Sequence, residues 1–192
     1  MSGSDMGRAG VIVSVIAVGV LVALPSYSAW STVETCTRRA DAILAAADPL
    51  DRDPPQRVAT VVREFVPVDR LPALLSSILL ERFACRSGER WAGTEWLIDH
   101  PALTWRLRET FDDLARVSLF ASTADMGKGD IGLSRGAQRI YKKDISEVDD
   151  HALRCLVRRA LGMPTGYIWP TDRSTPPPPP NCAQEFALPR VF

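Results

Sequence analysis

The chain has 192 residues, 46% of them hydrophobic and 24% charged, enough apolar material for one domain with a substantial core and too much for a disordered chain. Its 23 basic and 23 acidic residues cancel to a formal net charge of zero. Broad electrostatic attraction to nucleic acid or to anionic lipid is therefore not built into the composition.

The first element is an uncharged run. No residue between Ala9 and Val33 is charged, and Val11–Leu24 (VIVSVIAVGVLVAL) is almost wholly aliphatic. As a signal peptide, residues 1–30 would have Arg8 opening the apolar core, Pro25 breaking it and Ser26-Tyr27-Ser28 offering small residues for cleavage. As an uncleaved anchor, the run is long enough to cross a bilayer, with Tyr27 and Trp30 near one interface. The anchor is preferred, because the Ser-x-Ser site is weak and helical periodicity resumes directly after it. A buried helix of a soluble domain is the third reading. Either of the first two leaves the main domain in the periplasm or outside the cell. It is then tethered to an inner or plasma membrane by a single pass, or secreted after cleavage.

Segment 31–47 (STVETCTRRADAILAAA) has Cys36, Ala40, Ile43, Leu44 and Ala47 on one helical stripe. DPLDRDPP comes next as a polar, proline-marked connection. Arg57–Val68 is rich in β-branched residues and reads as a short strand or a bent lead-in. Pro72 suits a first helical turn, and Leu74, Leu75, Ile78 and Leu79 give an apolar face up to about Phe83. Residues 84–93 are turn-like, and Thr94–Ile98 is expected to be a short helix ending near Pro101. A helical pattern runs over 102–120 through Leu103, Leu107, Phe111, Leu114 and Leu119. Leu133–Tyr141 is expected to be helical. Ser146 is expected to cap a last helix that closes on Gly162, with Pro164 beyond. The tail, 171–192, holds the extended run Pro176–Pro180, a surface for an envelope protein partner.

The four cysteines, Cys36, Cys85, Cys155 and Cys182, contain no C-x-x-C, so a zinc or redox motif is not indicated. In an exported domain an even count points to two disulfides. Free buried thiols are the alternative. Three connectivities exist, and Cys36 with Cys182 and Cys85 with Cys155 is the preferred one. His100 and His151 lack metal-ligand spacing with other candidates, so no metal is assigned.

Residues 126–143, MGKGDIGLSRGAQRIYKK, contain G-x-G-x-x-G at Gly127, Gly129 and Gly132, with Asp149 and Asp150 about twenty residues on. A dinucleotide site needs a hydrophobic strand before the glycines and a second strand ending at the acid. The preceding ASTADM is small and polar, and the acids lead into an amphipathic helix, so no βαβ unit fits. The glycines instead suit a tight helix-to-helix turn.

Continued through residues 144–153 (DISEVDDHAL), the same stretch resembles the last motif of peptidoglycan glycosyltransferase domains. These occur as monofunctional transglycosylases and in class A penicillin-binding proteins. Gly127, Gly129, Gly132, Ala137, Tyr141 and Lys143 fall on that motif without gaps, and RCLVRRALGMPTGYIWP stands where the family has a helix and a proline-marked loop. Upstream, VPVDRLPALLSSILLERFACRSG resembles the lead-in and first motif, E-D-x-x-F-x-x-H-x-G. Phe83 and Gly88 keep their spacing, Arg86 stands at the histidine, and Glu81 lies two residues nearer Phe83 than the family's glutamate. RLRETFDD (106–113) partly matches R-K-x-x-E. The G-x-S-T-I-T-Q-Q segment is not recognisable beyond Gly93-Thr94, and Y-L-N reads Phe120-Ala121-Ser122. The likeness spans roughly 60–170, in a shortened and divergent form.

The resemblance implies a mostly α, lysozyme-like domain over 31–170, acting on or binding a lipid-linked disaccharide-peptide precursor or glycan strands. The family joins a sugar 4-hydroxyl to an anomeric carbon while undecaprenyl pyrophosphate leaves. That chemistry needs a carboxylate base and cations on the pyrophosphate. By resemblance Glu81 is the candidate base, with Glu89 in reserve, and Glu109 or Asp112 is the second carboxylate. Arg86, Arg106, Arg108, Lys142 and Lys143 are the candidate phosphate contacts. A divalent cation enters by resemblance alone. The other readings are a non-catalytic envelope binding or scaffold protein of the same descent and a small lysozyme-like hydrolase. On the bland side, Glu81, Arg106, Arg108 and Lys142-Lys143 are solvated helix-end residues.

Overall fold

The computed structural model describes residues 29–83, 85, 96–127, 129–162 and 182. Regular structure among them is helical, apart from one isolated antiparallel bridge between Asp125 and Ile131. The helices are α1 (29–46), α2 (Pro49–Arg52), α3 (Gln56–Phe65), α4 (Leu71–Arg82), α5 (Trp96–Thr110), α6 (Asp113–Thr123), α7 (Leu133–Tyr141) and α8 (Asp150–Ala160). The mostly α expectation holds. No helix among the described residues is long and apolar enough to cross a membrane, and the anchor or signal segment expected at 1–30 lies almost wholly outside them.

Helix α6 is the centre of the arrangement. Its residues 116–123 are all buried, because α2, α3, α4 and α7 surround it. A helix covered on every side needs apolar or small residues all round, and DLARVSLFAST supplies them. Its hydroxyls return to the helix backbone: Ser118 Oγ donates to the Leu114 carbonyl at 2.9 Å and Ser122 Oγ to the Ser118 carbonyl at 2.7 Å. Phe120 and Leu119 are fully buried, and covering each is worth about 2 kcal/mol. Helix α5 packs on α4, and α8 packs on α3 and α7.

Several expectations are corrected by packing. Gln56–Phe65 is a helix, not a strand, since Val58, Ala59, Val61 and Val62 fall on one buried face against α6 and α8. Pro101 does not end the helix before it but lies inside α5. One hydrogen bond from α4 holds the α5 backbone there, Ser76 Oγ to the His100 carbonyl at 3.0 Å, and the His100 side chain ties back to α4 with Nε2 3.1 Å from the Ala73 carbonyl. The pattern over 102–120 is two helices, divided at Phe111-Asp112, where Asp112 Oδ1 accepts from the Ala115 N–H at 2.8 Å. Leu114, expected on the apolar face, is 47% exposed. Helix α8 starts at Asp150, capped by Asp149 rather than Ser146, and Gly162 at φ 66° stops it as expected.

The preferred cysteine pairing is overturned. Cys155 on α8 is bonded to Cys182, with Cα atoms 5.5 Å apart, which excludes both Cys36–Cys182 and Cys85–Cys155. Cys36 and Cys85 are free and buried beside each other. Sequence distance gave no hint of this, because α1 and the end of α4 meet only in three dimensions.

Candidate functional site

The glycine stretch turns the chain from α6 into α7. Gly132 N–H donates to the Ala124 carbonyl at 2.8 Å, Met126 N–H to the Asp130 carbonyl at 3.0 Å and Asp130 N–H to the Gly127 carbonyl at 3.2 Å. Asp125 Oδ1 accepts from the Gly127 N–H at 2.8 Å, a local side-chain turn. Gly127, Gly129 and Gly132 all have positive φ, at 80°, 82° and 111°. A side chain at any of them is strained, which is why this spacing of glycines forms the turn.

Gly132 is the N-cap of α7 and has no side chain with which to cap it. Asp51 of α2 supplies the missing carboxylate across the fold. Its Oδ1 accepts from the Ser134 N–H at 2.9 Å and from Ser134 Oγ at 2.8 Å. A Cβ at position 132 would stand 2.4 Å from Asp51 Oδ2. Glycine is therefore required there twice, by conformation and by the carboxylate pressed against it. Asp51 is only 2% exposed, and burial pushes its carboxyl up to about 6. The two hydrogen bonds from Ser134 pull the other way, and the nearby Asp48 charge adds to the rise.

The rest of the turn is held from outside. Arg159 Nε donates to the Met126 carbonyl at 3.0 Å, and Arg139 Nη2 donates to the same oxygen. Arg139 Nε also lies 2.8 Å from Asp130 Oδ2. Gly136, the next glycine, admits Met126: a Cβ there would stand 2.7 Å from the methionine Cγ and Cε. Arg82 Nη1, at the last residue of α4, reaches Asp125 Oδ2 at 3.8 Å. This exposed ion pair links Arg82, the last residue of α4, to the glycine turn.

The other candidates lie elsewhere. His100 near the start of α5 meets Ala73, while Arg108 near its end donates from Nη2 to the Asp69 carbonyl at 3.2 Å, so α5 runs antiparallel to α4. Arg106, Arg108 and Glu109 thus gather at the beginning of α4, about 15 Å along its axis from Glu81. Glu81 and Glu109 are both exposed, and neither forms an ion pair among the described residues. Asp112 is used as the α6 cap. Lys142 and Lys143 are exposed at the far end of α7, about 13 Å along the helix from Gly132. Lys142 itself takes the left-handed C-cap conformation, φ 57°. Arg86, Glu89, Gly88 and Gly93-Thr94 fall outside the described residues.

Ser77 Oγ lies 3.0 Å from His100 Nε2, which invites comparison with a serine nucleophile and its base. The same nitrogen faces the Ala73 carbonyl, which can only accept. Nε2 must then carry its proton and cannot take one from serine. Stacked on Trp96 with centroids 4.4 Å apart, His100 is a tie between α4 and α5. Among the described residues no group of three or more His, Cys, Asp or Glu is arranged to hold a metal ion.

An open groove of about 570 Å³ runs beside α1, lined by Thr35, Arg38, Arg39, Ala42, Phe83 and Cys85. Sequence reasoning missed both this groove and Asp51. For Asp51 a signal did exist: α7 opens on a glycine where a capping side chain belongs, so a carboxylate from another element was needed. Nothing marked which of the aspartates near Pro49 would supply it. No protein-family model, no curated protein and no solved structure matches the chain.

Proposed function

We propose that this chain is a peptidoglycan glycosyltransferase-like protein of the cell envelope, a lysozyme-like helical domain behind an N-terminal anchor. It binds a lipid-linked disaccharide-peptide precursor or the glycan strands made from it. The observation that carries this reading is the docking of the glycine turn on the end of α4 through Arg82 and Asp125. It joins the two stretches of sequence that resemble the family's last and first motifs. Glu81, exposed one residue before Arg82, is the candidate base for a sugar hydroxyl, and Arg82 is cationic and reaches Asp125 of the turn.

One feature favours binding without turnover. A pair of cooperating carboxylates stands roughly 5–10 Å apart in glycan-cleaving sites, whereas Glu81 and Glu109 sit near opposite ends of α4. Asp51, the carboxylate pushed up by burial, is committed to capping α7. This spacing argues against Glu81 and Glu109 as a cooperating hydrolytic pair.

Incubation of the wild type and Glu81→Gln with lipid-linked precursor tests the proposal. Polymer from the wild type, lost in the variant, supports a transferase with Glu81 as base. Precursor or glycan binding without polymer supports the non-catalytic member. Absence of both binding and polymer overturns the proposal.

A further inference from the structure

Cys36 and Cys85 are the fold's remaining thiols, 0% and 3% exposed, in a molecule that already carries the Cys155–Cys182 disulfide. They come from α1 and from just beyond the end of α4, and they lie beside each other. Cys85 Sγ also lies 3.0 Å from the Leu79 carbonyl, which holds its side chain in one place. The two thiols are not equivalent. Both belong to the buried core, but Cys85 also lines the open groove that contains Arg38 and Arg39, and Cys36 does not.

We propose that Cys36 and Cys85 are a redox-active pair: Cys85 attacks a disulfide entering the groove, and Cys36 resolves the mixed disulfide to close a second bond within the chain. The oxidant is a low-molecular-weight or protein disulfide. The Cys85 thiolate attacks one sulfur of that disulfide, which breaks and releases a first thiolate. Cys36 then gives up its proton, attacks Cys85 Sγ and releases a second thiolate. Two protein thiols are oxidised to one disulfide, and one external disulfide is reduced to two thiols. The electrostatics run in the same order. The hydrogen bond from Cys36 and the Arg39 guanidinium draw the Cys85 thiol down against the opposing effect of burial. Cys36 is pushed far up by that hydrogen bond, by burial and by the charges of Cys85 and Asp99. Cys85, the thiol that lines the groove, is the attacking sulfur, and Cys36 the resolving one. Closure ties α1 covalently to the end of α4, one wall of the groove to the other.

The full chain with the Cys155–Cys182 bond intact is the test material, exposed to oxidised glutathione and mapped by non-reducing peptide mass spectrometry. The expected product links the Cys36 and Cys85 peptides and retains no glutathione, and recovery of that link before any treatment also supports the pair. Cys36→Ser should hold glutathione on Cys85 as a stable adduct, and Cys85→Ser should lower the rate of glutathione reduction at least tenfold. Wild-type protein that keeps glutathione on Cys85, or leaves both thiols free after prolonged exposure, overturns the proposal without reference to either variant.

Discussion

The glycine turn and the exposed helix ends of the molecule are built in opposite ways. In the turn almost every polar group is engaged: the Met126 carbonyl accepts from two arginines, Asp125 caps Gly127, and Asp51 reaches across from α2 to cap α7. At the helix ends Glu81, Glu109, Lys142 and Lys143 face solvent. The glycine turn is held by contacts inside the molecule, whereas the ends of α4, α5 and α7 are left to solvent.

Substitutions can break this contrast. The largest effect is expected for Gly132→Ala, which combines a positive φ with a Cβ 2.4 Å from Asp51 Oδ2. Chemical denaturation should show a loss of about 3 kcal/mol or more. Asp51→Ala should cost about 1–2 kcal/mol, since the Ser134 N–H and hydroxyl lose their buried acceptor while a desolvated charge is removed. Gly129→Ala meets nothing within 4 Å and carries only the strain of φ 82°, about 1 kcal/mol. Glu81→Gln and Glu109→Gln should change stability by no more than about 0.5 kcal/mol. For Glu81→Gln an effect on precursor polymerisation without one on unfolding would sharpen the contrast further. A glycine series in which Gly129 costs as much as Gly132 would contradict it.

Much of the fold was legible from periodicity. Leu133–Tyr141 was bounded by Gly132 and by loss of pattern after Tyr141, and the stop at Gly162 came from its freedom to adopt positive φ. The misreadings share a cause in tertiary contact. β-branched Val58, Val61 and Val62 became helical because that spacing places them on one face against α6 and α8. Pro101 stayed inside a helix that is tied to α4 beside it, by Ser76 Oγ on the His100 carbonyl and by the His100 side chain on the Ala73 carbonyl. The glycine opening α7 pointed to a missing cap but not to Asp51, and nothing pointed to the Cys36–Cys85 pair, because each acquires its role only from a partner brought close by folding. The glycine spacing identified a turn; no local signal identified what fills the space beside it.

The most direct test is the pH dependence of unfolding for the wild type minus that of Asp51→Asn. The folded carboxyl is raised from its ordinary value of 3.8 to about 6, so the folded state binds the proton more tightly than the unfolded state. Stability from this group is present below about pH 4 and is lost as pH rises through about 6, by roughly 3 kcal/mol in total. Asparagine keeps an acceptor for Ser134 and cannot titrate. The wild type is therefore predicted to lose about that much stability relative to Asp51→Asn between about pH 4 and pH 7. A difference that stays flat across this range, or that changes in favour of the wild type as pH rises, would contradict a buried, desolvated Asp51 as the cap of the glycine turn.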